Sequence, residues 1–209
     1  MGRRIKIKRA VSDEPIYLTK DFFNQLYLQF VSRHYPYKVL TEFKDRDIAI
    51  CSTLVLSGVR ASELKLKKKQ FVNLEDRILL LNVKTEKHGD MRPQTVFPKS
   101  GILKEFTLTV ADWLEQVPEN DSYVFPSGTA FGVCWGQPLG RRRVFEIIKL
   151  KTGNFPHWLR GVHETYYGEV VFKGNAWKLA RHMGLKRLDS TTPYVQSSYT
   201  EDIEERLFK

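Results

Sequence analysis

The chain has 209 residues, and 34 Lys and Arg against 24 Asp and Glu give it a net charge of +10. This length fits one large domain, or one domain with a short appendage. Hydrophobic residues make up 42% of the chain, which excludes a wholly disordered protein. Two cysteines, Cys51 and Cys134, are too few for a disulfide framework, and no Cys/His cluster has zinc spacing.

The termini and the charge indicate where the protein works and what it binds. The N-terminus lacks the apolar core of a signal peptide, and no run approaches the ~18 apolar residues of a membrane span. We therefore expect a soluble cytoplasmic protein with no membrane contact. The excess of basic residues predicts a polyanionic partner, most commonly nucleic acid. Residues 1–16, which contain the tract RRIKIKR, form a basic arm that either lies along phosphates or is solvated.

The first half of the chain predicts two helices. Residues 17–33 are amphipathic, with Thr19 as the candidate N-cap and one apolar stripe formed by Phe22, Leu26 and Phe30. Residues 47–57 are apolar nearly all round, so this second helix should be buried. Gly58 follows it directly and is suited to a left-handed helix stop.

Beyond Gly58 the pattern first changes to strands and then returns to helices. Residues 78–83 and 94–97 predict two strands separated by the polar turn EKHGD. Helical patterns follow at roughly 102–116, 138–151, 157–168 and 174–183. The predicted fold class is therefore α+β, mostly helical with one small antiparallel sheet.

Several common catalytic motifs are missing from the sequence. It has no phosphate-cradling GxxxxGK[ST] loop, no nucleophile elbow and no HExxH. Its acidic residues are scattered, whereas a two-metal site needs them grouped. We therefore expect neither a metal nor another cofactor.

Cationic residues beside turns are the remaining candidates for chemistry. In SGVRASEL, residues 57–64, Arg60 follows the predicted helix stop, so its side chain begins at a turn on the edge of the core. Lys84 lies where the first strand enters the turn, and Lys87 and Arg92 are near enough in sequence to be confused with it. Taken singly, Arg60 and Lys84 are equally compatible with solvated surface positions.

Two further segments complete the candidate set. In PHWLR, residues 156–160, Pro156 suits the first turn of a helix, which places His157 and Arg160 on one face. Such a helix N-terminus is a natural seat for a phosphate, although a simple cap with a surface arginine fits as well. Residues 180–198 predict a helix that ends near Gly184, then a loop and Tyr194, which alone would be read as packing.

Together these segments resemble the catalytic domain of the tyrosine recombinases, the phage integrase family. The family's first box, T-G-[LV]-R-x-S-E-L, stands here as SGVRASEL, and its hairpin lysine falls at Lys84. Its H-x-L-R box is HWLR, residues 157–160, and the segment before its nucleophile resembles MGLKRLDSTTPY, residues 183–194. The resemblance implies a catalytic domain over residues 17–199 and a mostly helical fold.

The sequence departs from the family in two places. Where the family carries a His or Trp after the closing glycine, this chain has Leu185, and His182, one helical turn earlier, is the candidate replacement. Family members also carry a separate core-binding domain, so the chain is either an isolated catalytic domain or a compact recombinase. Residues 200–209 predict a short amphipathic tail helix that docks on the next protomer or packs on its own core.

The resemblance implies attack of the Tyr194 hydroxyl on a DNA phosphodiester, giving a 3′-phosphotyrosyl link and a free 5′-hydroxyl. Arg60 and Arg160 would clamp the phosphate, and Lys84 would protonate the leaving oxygen. His157 would either accept the proton of Tyr194 or hydrogen-bond the phosphate. The implied partner is double-stranded DNA at a specific site, bound by a homotetramer, and the activity would serve recombination or viral genome integration.

Two alternatives stay open at this point. Type IB topoisomerases, related transposases and telomere resolvases share the same residue set, so relaxation or resolution is possible. A non-catalytic DNA- or RNA-binding module would use the basic charge alone, and Leu185 favours such an inactive domain. Should Tyr194 not be the nucleophile, Tyr199 is the next candidate.

Overall fold

The computed structural model describes residues 18–33, 35, 41–85, 91–129 and 132–185. The predicted basic arm, Tyr194, Tyr199 and the predicted tail helix lie outside these residues. Helix α1 spans Lys20–Ser32, and the Thr19 side chain accepts a hydrogen bond from the Phe22 backbone N–H at 3.2 Å, as predicted for an N-cap. The buried stripe consists of Phe23, Leu26 and Phe30. Phe22, predicted for this stripe, is only half-buried, with its ring edge toward Trp158.

Helix α2, Thr41–Ser57, is the central helix of the core. Every residue from Ala49 to Ser57 is buried, as the apolar pattern predicted. The helix begins six residues before the predicted start, because its first turn is polar and half-exposed and gives no apolar signal. It ends at Gly58, which adopts the predicted left-handed conformation with a φ of 58°.

A three-stranded antiparallel sheet covers one side of this core. Its strands are β1 (Phe71–Asn73), β2 (Arg77–Leu80) and β3 (Thr95–Pro98), in the order β1–β2–β3. The predicted pair of strands is therefore present, while β1, only three residues long, was not predicted. The alternation in β2 places Ile78 and Leu80 in the core, and Ile78 lies opposite the buried Phe97.

A second antiparallel pair, absent from the predictions, joins β4 (Pro126–Thr129) to β5 (Gly132–Pro138). Its glycines and prolines weaken the strand signal in the sequence. Because β5 extends to Pro138, the following helix begins at Arg141 and not at residue 138. At Gly128 a Cβ atom would lie 2.3 Å from the Phe43 ring, so this strand packs closely on α2.

The remaining helices follow the predicted order: α3 (Lys104–Gln116), α4 (Arg141–Thr152), α5 (Pro156–Tyr166) and α6 (Ala176–His182). A π-helical turn, Tyr167–Val171, extends α5. The α+β class, mostly helical with small antiparallel sheets, is thus confirmed. Within the described residues, no helix is long and apolar enough to cross a membrane.

Candidate active site

A surface cleft of about 280 Å³ brings together three of the residues predicted from the sequence. Arg60, His157 and Arg160 all line it, although Arg60 and Arg160 are 100 positions apart in the chain. Arg141 lines it as well, at the start of α4. Ser62 and five apolar residues complete the walls: Val59, Ala61, Phe145, Phe155 and Pro156. The cleft therefore combines a cationic lining with an apolar rim.

Arg60 is held in place by the turn that follows α2. The chain leaves Gly58 and forms a short 3₁₀ turn, Ala61–Glu63. The Glu63 carboxylate accepts hydrogen bonds from the Arg60 backbone N–H and from Arg60 Nη1, both at 2.9 Å. Since the Glu63 side chain is buried and Arg60 is 28% exposed, the guanidinium is fixed from behind and remains accessible from the cleft.

His157 and Arg160 come from the first turns of α5. Pro156 occupies the first helical turn, as predicted, so His157 is exposed at the helix N-terminus and Arg160 lies one turn further. Arg160 is only 3% exposed. Its Nε forms an ion pair with Glu164 Oε1 at 2.8 Å, and its Nη1 donates to the Gly58 carbonyl at 2.6 Å. These two bonds preorganise the guanidinium before any ligand arrives.

Gly58 joins the two arginine-bearing segments. Its carbonyl accepts from Arg160, while its left-handed φ ends α2 just before Arg60. A Cβ atom at this position would lie 2.4 Å from His163 Cδ2, closer than real contacts allow. Glycine is therefore required here for both conformation and space.

The buried carboxylate of Glu63 is ionised within this cation-rich surrounding. Burial alone would raise the pKa of Glu63, but the hydrogen bond from the Arg60 backbone and the charge of Arg92 together hold that pKa below its usual value. Arg92 Nη1 lies 3.7 Å from Glu63 Oε2. Glu63 thus serves two guanidinium groups, one at the cleft and one behind it.

A buried aromatic stack lies next to the arginines. His163 Nδ1 contacts the Val55 carbonyl at 2.8 Å, and His163 Nε2 lies 3.0 Å from His182 Nε2. Because the first contact places the His163 proton on Nδ1, His182 donates to His163 Nε2. The Tyr167 ring stacks on both imidazoles, at centroid distances of 4.2 and 4.5 Å.

Both histidines of this stack are neutral at pH 7. Burial, followed by the positive charge of Arg92, lowers the pKa of His182 to about 4. Burial and the neighbouring His182 lower the pKa of His163 well below its ordinary value.

The other predicted site residues lie apart from the cleft lining. Lys84 is exposed and pairs through a β-bridge with Met91 at the base of the hairpin. His182 is the last residue of α6, and its Nε2 is engaged by His163. Leu185 is half-buried and packs against the hydrophobic core. The catalytic roles of Lys84 and His182 remain predictions, as does that of Tyr194, which lies outside the described residues.

Two arginines near the site were not among the predicted site residues. Arg141 opens α4 in a run of three arginines, at the positive end of the helix macrodipole, where cations are disfavoured. That mismatch is a signal, readable from the sequence, that an anion belongs there. Arg92 gave a weaker signal, because only the fold brings it to Glu63.

The chain has the fold of the tyrosine-recombinase catalytic domain, mostly helical with small antiparallel sheets. Its similarity to the site-specific recombinase XerH, solved bound to its difH substrate, has a TM-score of 0.59 at 18% identity and covers 81% of this chain. XerA recombinase gives 0.59 at 21% identity over 92% of the chain. The Tn1549 transposon integrase, solved with transposon right-end DNA, gives 0.55 at 14% identity over 89%.

This chain spans less than two thirds of the length of those three structures: 47% of XerH, 65% of XerA and 64% of the Tn1549 integrase. No family model matches the sequence, and no curated protein matches it either. The predicted resemblance is therefore confirmed at the level of the fold.

Chemically, the cleft suits a tetrahedral anion. Two guanidinium groups fixed by buried carboxylates match the bidentate geometry of a phosphate. The exposed imidazole of His157 adds a group able to donate or accept a proton. Among the described residues, no group of three or more His, Cys, Asp or Glu side chains is placed to hold a metal ion.

Proposed function

We propose that this chain cleaves and rejoins DNA strands through a covalent 3′-phosphotyrosyl intermediate, as a site-specific recombinase or integrase. The observation that carries the proposal is the convergence of Arg60, His157 and Arg160 on one cleft. The sequence resemblance assigns the same three residues to the phosphate site, and the fold is that of recombinases solved in complex with DNA.

In the proposed reaction the Tyr194 hydroxyl oxygen attacks phosphorus, and the bond to the 5′-oxygen of the next nucleotide breaks. The pentavalent transition state gathers negative charge on the non-bridging oxygens, which Arg60 and Arg160 neutralise through bidentate hydrogen bonds. Because both guanidiniums are held by carboxylates, little reorganisation is needed when the charge develops. Loss of one such donor typically costs ~2.7–4 kcal/mol of transition-state stabilisation.

Proton transfers accompany both halves of the reaction. His157 would accept the tyrosine proton or hydrogen-bond the phosphate, and Lys84 on the hairpin is the proposed donor to the leaving 5′-oxygen. The reverse sequence, with a 5′-hydroxyl attacking the phosphotyrosine, rejoins the strand. The ester bond energy is conserved in the covalent intermediate, so the scheme requires no nucleotide.

The proposed partner is double-stranded DNA, bound by several copies of the chain at one recombination site. The net charge of +10 and the arginines at the start of α4 favour a polyanion along this face. A tetramer on two duplexes is the assembly that strand exchange between two sites requires.

Trapping on a nicked duplex tests the proposed function. Loss of the short fragment that carries the free 5′-hydroxyl prevents religation, so we expect a protein–DNA adduct that survives denaturant and high salt. Tyr194→Phe should abolish the adduct and leave DNA binding nearly unchanged, while the matched variant Tyr199→Phe should retain it.

Three other outcomes point elsewhere. An adduct in Tyr194→Phe that disappears in Tyr199→Phe would move the nucleophile. Binding that salt removes completely, with no adduct in any protein, would indicate a non-catalytic nucleic-acid-binding module. Relaxation of supercoiled DNA without joint molecules between two duplexes would indicate a topoisomerase.

A further inference from the structure

Arg92 is a cation almost entirely removed from water, directly behind the cleft. Its side chain is 1% exposed. Its backbone N–H donates to the Val83 carbonyl at 2.8 Å, which fixes the second leg of the hairpin beside Lys84. Burying a guanidinium is costly unless its donors are paired, so the position needs a physical explanation.

The pairing of Arg92 is incomplete. Its Nη2 donates to Met183 Sδ at 3.6 Å, a weak acceptor. Its Nη1 lies 3.7 Å from Glu63 Oε2, beyond hydrogen-bond distance, and within the described part of the chain neither Nε nor Nη1 has a hydrogen-bond partner. An apolar side chain of similar volume would fill this place at lower cost. The charge itself is therefore the feature to be explained.

Arg92 determines the net charge of its surroundings. We call the pocket cluster the five interacting ionised side chains at and behind the cleft: Arg60, Glu63, Arg92, Arg160 and Glu164. Among the residues that the structure describes, three guanidiniums face two carboxylates, so the cluster has one surplus positive charge. His163 and His182 add none, because the pKa of each is lowered. Without Arg92 the cluster would be neutral.

Arg92 stays charged under working conditions. Burial and the nearby charge of Arg160 lower the pKa of Arg92 to about 10, with Glu63 acting in the opposite direction. A pKa of about 10 still leaves the guanidinium protonated at pH 7. In a site that excludes water, such a fixed charge acts over several ångströms with little screening.

We propose that Arg92 is a positioning residue of the phosphate site: it supplies the surplus positive charge behind the cleft and holds the Glu63 carboxylate that aims Arg60. This inference rests on the proposed function. Arg92 would not touch the DNA, because its side chain is buried and, unlike Arg160, does not line the cleft. Its effect on the phosphate would pass through space and through Glu63.

The same side chain connects the hairpin to the end of α6. A Cβ atom at Gly184 would lie 3.0 Å from Arg92 Cγ and 3.3 Å from Thr85 Cγ2, and Gly184 has a φ of 63°. The backbone after α6 therefore passes directly over the Arg92 stem. The charged side chain of Arg92 thus lies between the hairpin and the end of α6, which fits a role in positioning.

Single-turnover adduct formation on the nicked duplex, with protein in excess, tests this role. Arg92→Met should slow adduct formation about 10- to 100-fold, less than the ~10²–10³-fold expected for a donor that touches the phosphate. Arg92→Lys keeps the charge and should stay within about tenfold of the parent. Arg46→Met is the matched control, because Arg46 is a buried arginine outside the cleft.

A substrate without the phosphate charge distinguishes an electrostatic role of Arg92 from a role in maintaining the fold. If the scissile phosphate is replaced by a methylphosphonate, one negative charge disappears, and the effect of Arg92→Met should shrink to within about threefold. Equal slowing on both substrates would mean that Arg92 only maintains the fold and would overturn the proposal. So would parental rates in Arg92→Met, or a rate in Arg92→Lys as low as in Arg92→Met.

The two proposals fail in different ways. Absence of an adduct with the unaltered protein refutes the proposed function and this inference with it. A normal adduct with the unaltered protein and with Arg92→Met refutes the inference alone. Thermal unfolding of each variant fixes the temperature at which all are folded, and if Arg92→Met does not fold, Arg92→Gln, which also removes the charge, gives the same comparison on the two substrates.

Discussion

Two buried arginines in this molecule have opposite settings. Arg46 forms an ion pair with Asp47 at 2.7 Å, donates to the Pro126 carbonyl at 2.9 Å and packs over the Phe43 ring. Arg92 shares its carboxylate with Arg60 and leaves two nitrogens without hydrogen bonds within the described residues. Burial lowers the pKa of both guanidiniums to about 10.

This difference in hydrogen bonding distinguishes Arg46, which stabilises the fold, from Arg92, which we assign to the phosphate site. Around Arg46 the Asp47 carboxyl and the Pro126 carbonyl both accept hydrogen bonds from the guanidinium, which ties α2 to β4. In the pocket cluster the cations outnumber the anions, which destabilises the empty site and favours an incoming anion. A surplus of one sign in a cleft, rather than burial alone, indicates a binding function.

The largest expected effect comes from removing Arg46. Arg46→Met leaves the buried Asp47 carboxyl and the Pro126 carbonyl without their donor, and each unpaired buried group typically costs about 1–3 kcal/mol of unfolding free energy. Chemical denaturation measures this change. At temperatures where the variant is folded, its rate of adduct formation should equal that of the parent, and a large loss of rate would contradict the distinction drawn here.

A second effect comes from the neutral histidines beside the pocket cluster. The native pKa of His182 is about 4 against an ordinary value near 6.5, so at pH 4–6.5 the unfolded chain binds a proton that the native state excludes. The contribution of His182 to the free energy of unfolding is therefore complete above about pH 6.5 and is lost as the pH falls toward 4. One pKa unit corresponds to about 1.4 kcal/mol, giving about 3 kcal/mol from His182.

His182→Phe keeps a ring for stacking on Tyr167 and removes this titration. Denaturant midpoints measured between pH 7 and pH 4 should decline less steeply in the variant than in the parent. Equal slopes would show that His182 is not held neutral in the native state. The hydrogen bond to His163 is also lost, so the comparison is made between slopes and not between absolute stabilities.

The smallest expected effect concerns an exposed arginine. The Arg142 side chain is 94% exposed and pairs with Glu146 one turn away at 3.2 Å. Surface pairs of this kind contribute little, because water screens them. Arg142→Ala should therefore leave the melting temperature unchanged within error. A clear loss of stability would mean that exposure does not distinguish an arginine of little energetic weight from one that stabilises the fold.

Local signals in the sequence predicted much of the fold. Thr19 as an N-cap, the apolar run of α2 and the left-handed stop at Gly58 all follow from a few neighbouring residues, and the structure confirms each of them. The short strand β1 and the β4–β5 hairpin were missed. They carry too few alternating positions for a local pattern to detect, and tertiary contacts such as Gly128 with Phe43 stabilise them.

The site was predicted where a motif fixes the spacing and missed where only the fold creates the contact. The boxes around Arg60 and His157–Arg160 gave three residues that share one cleft. No spacing rule links Arg92 to Glu63, or His182 to His163, because these contacts depend on how the hairpin and α6 pack. His182 is the candidate replacement for the family's His or Trp; its Nε2 contacts His163, and its catalytic role stays a prediction.

Because Gly58 has no side chain, it links the end of α2 to Arg160 and His163. At Gly58 the helix stop, the acceptor for Arg160 and the room for the His163 ring coincide. A substitution there would disturb backbone, guanidinium and imidazole at once, and no single second change could repair all three. The shape of the cleft at Arg160 and the C-terminal end of α2 therefore cannot be changed independently of each other.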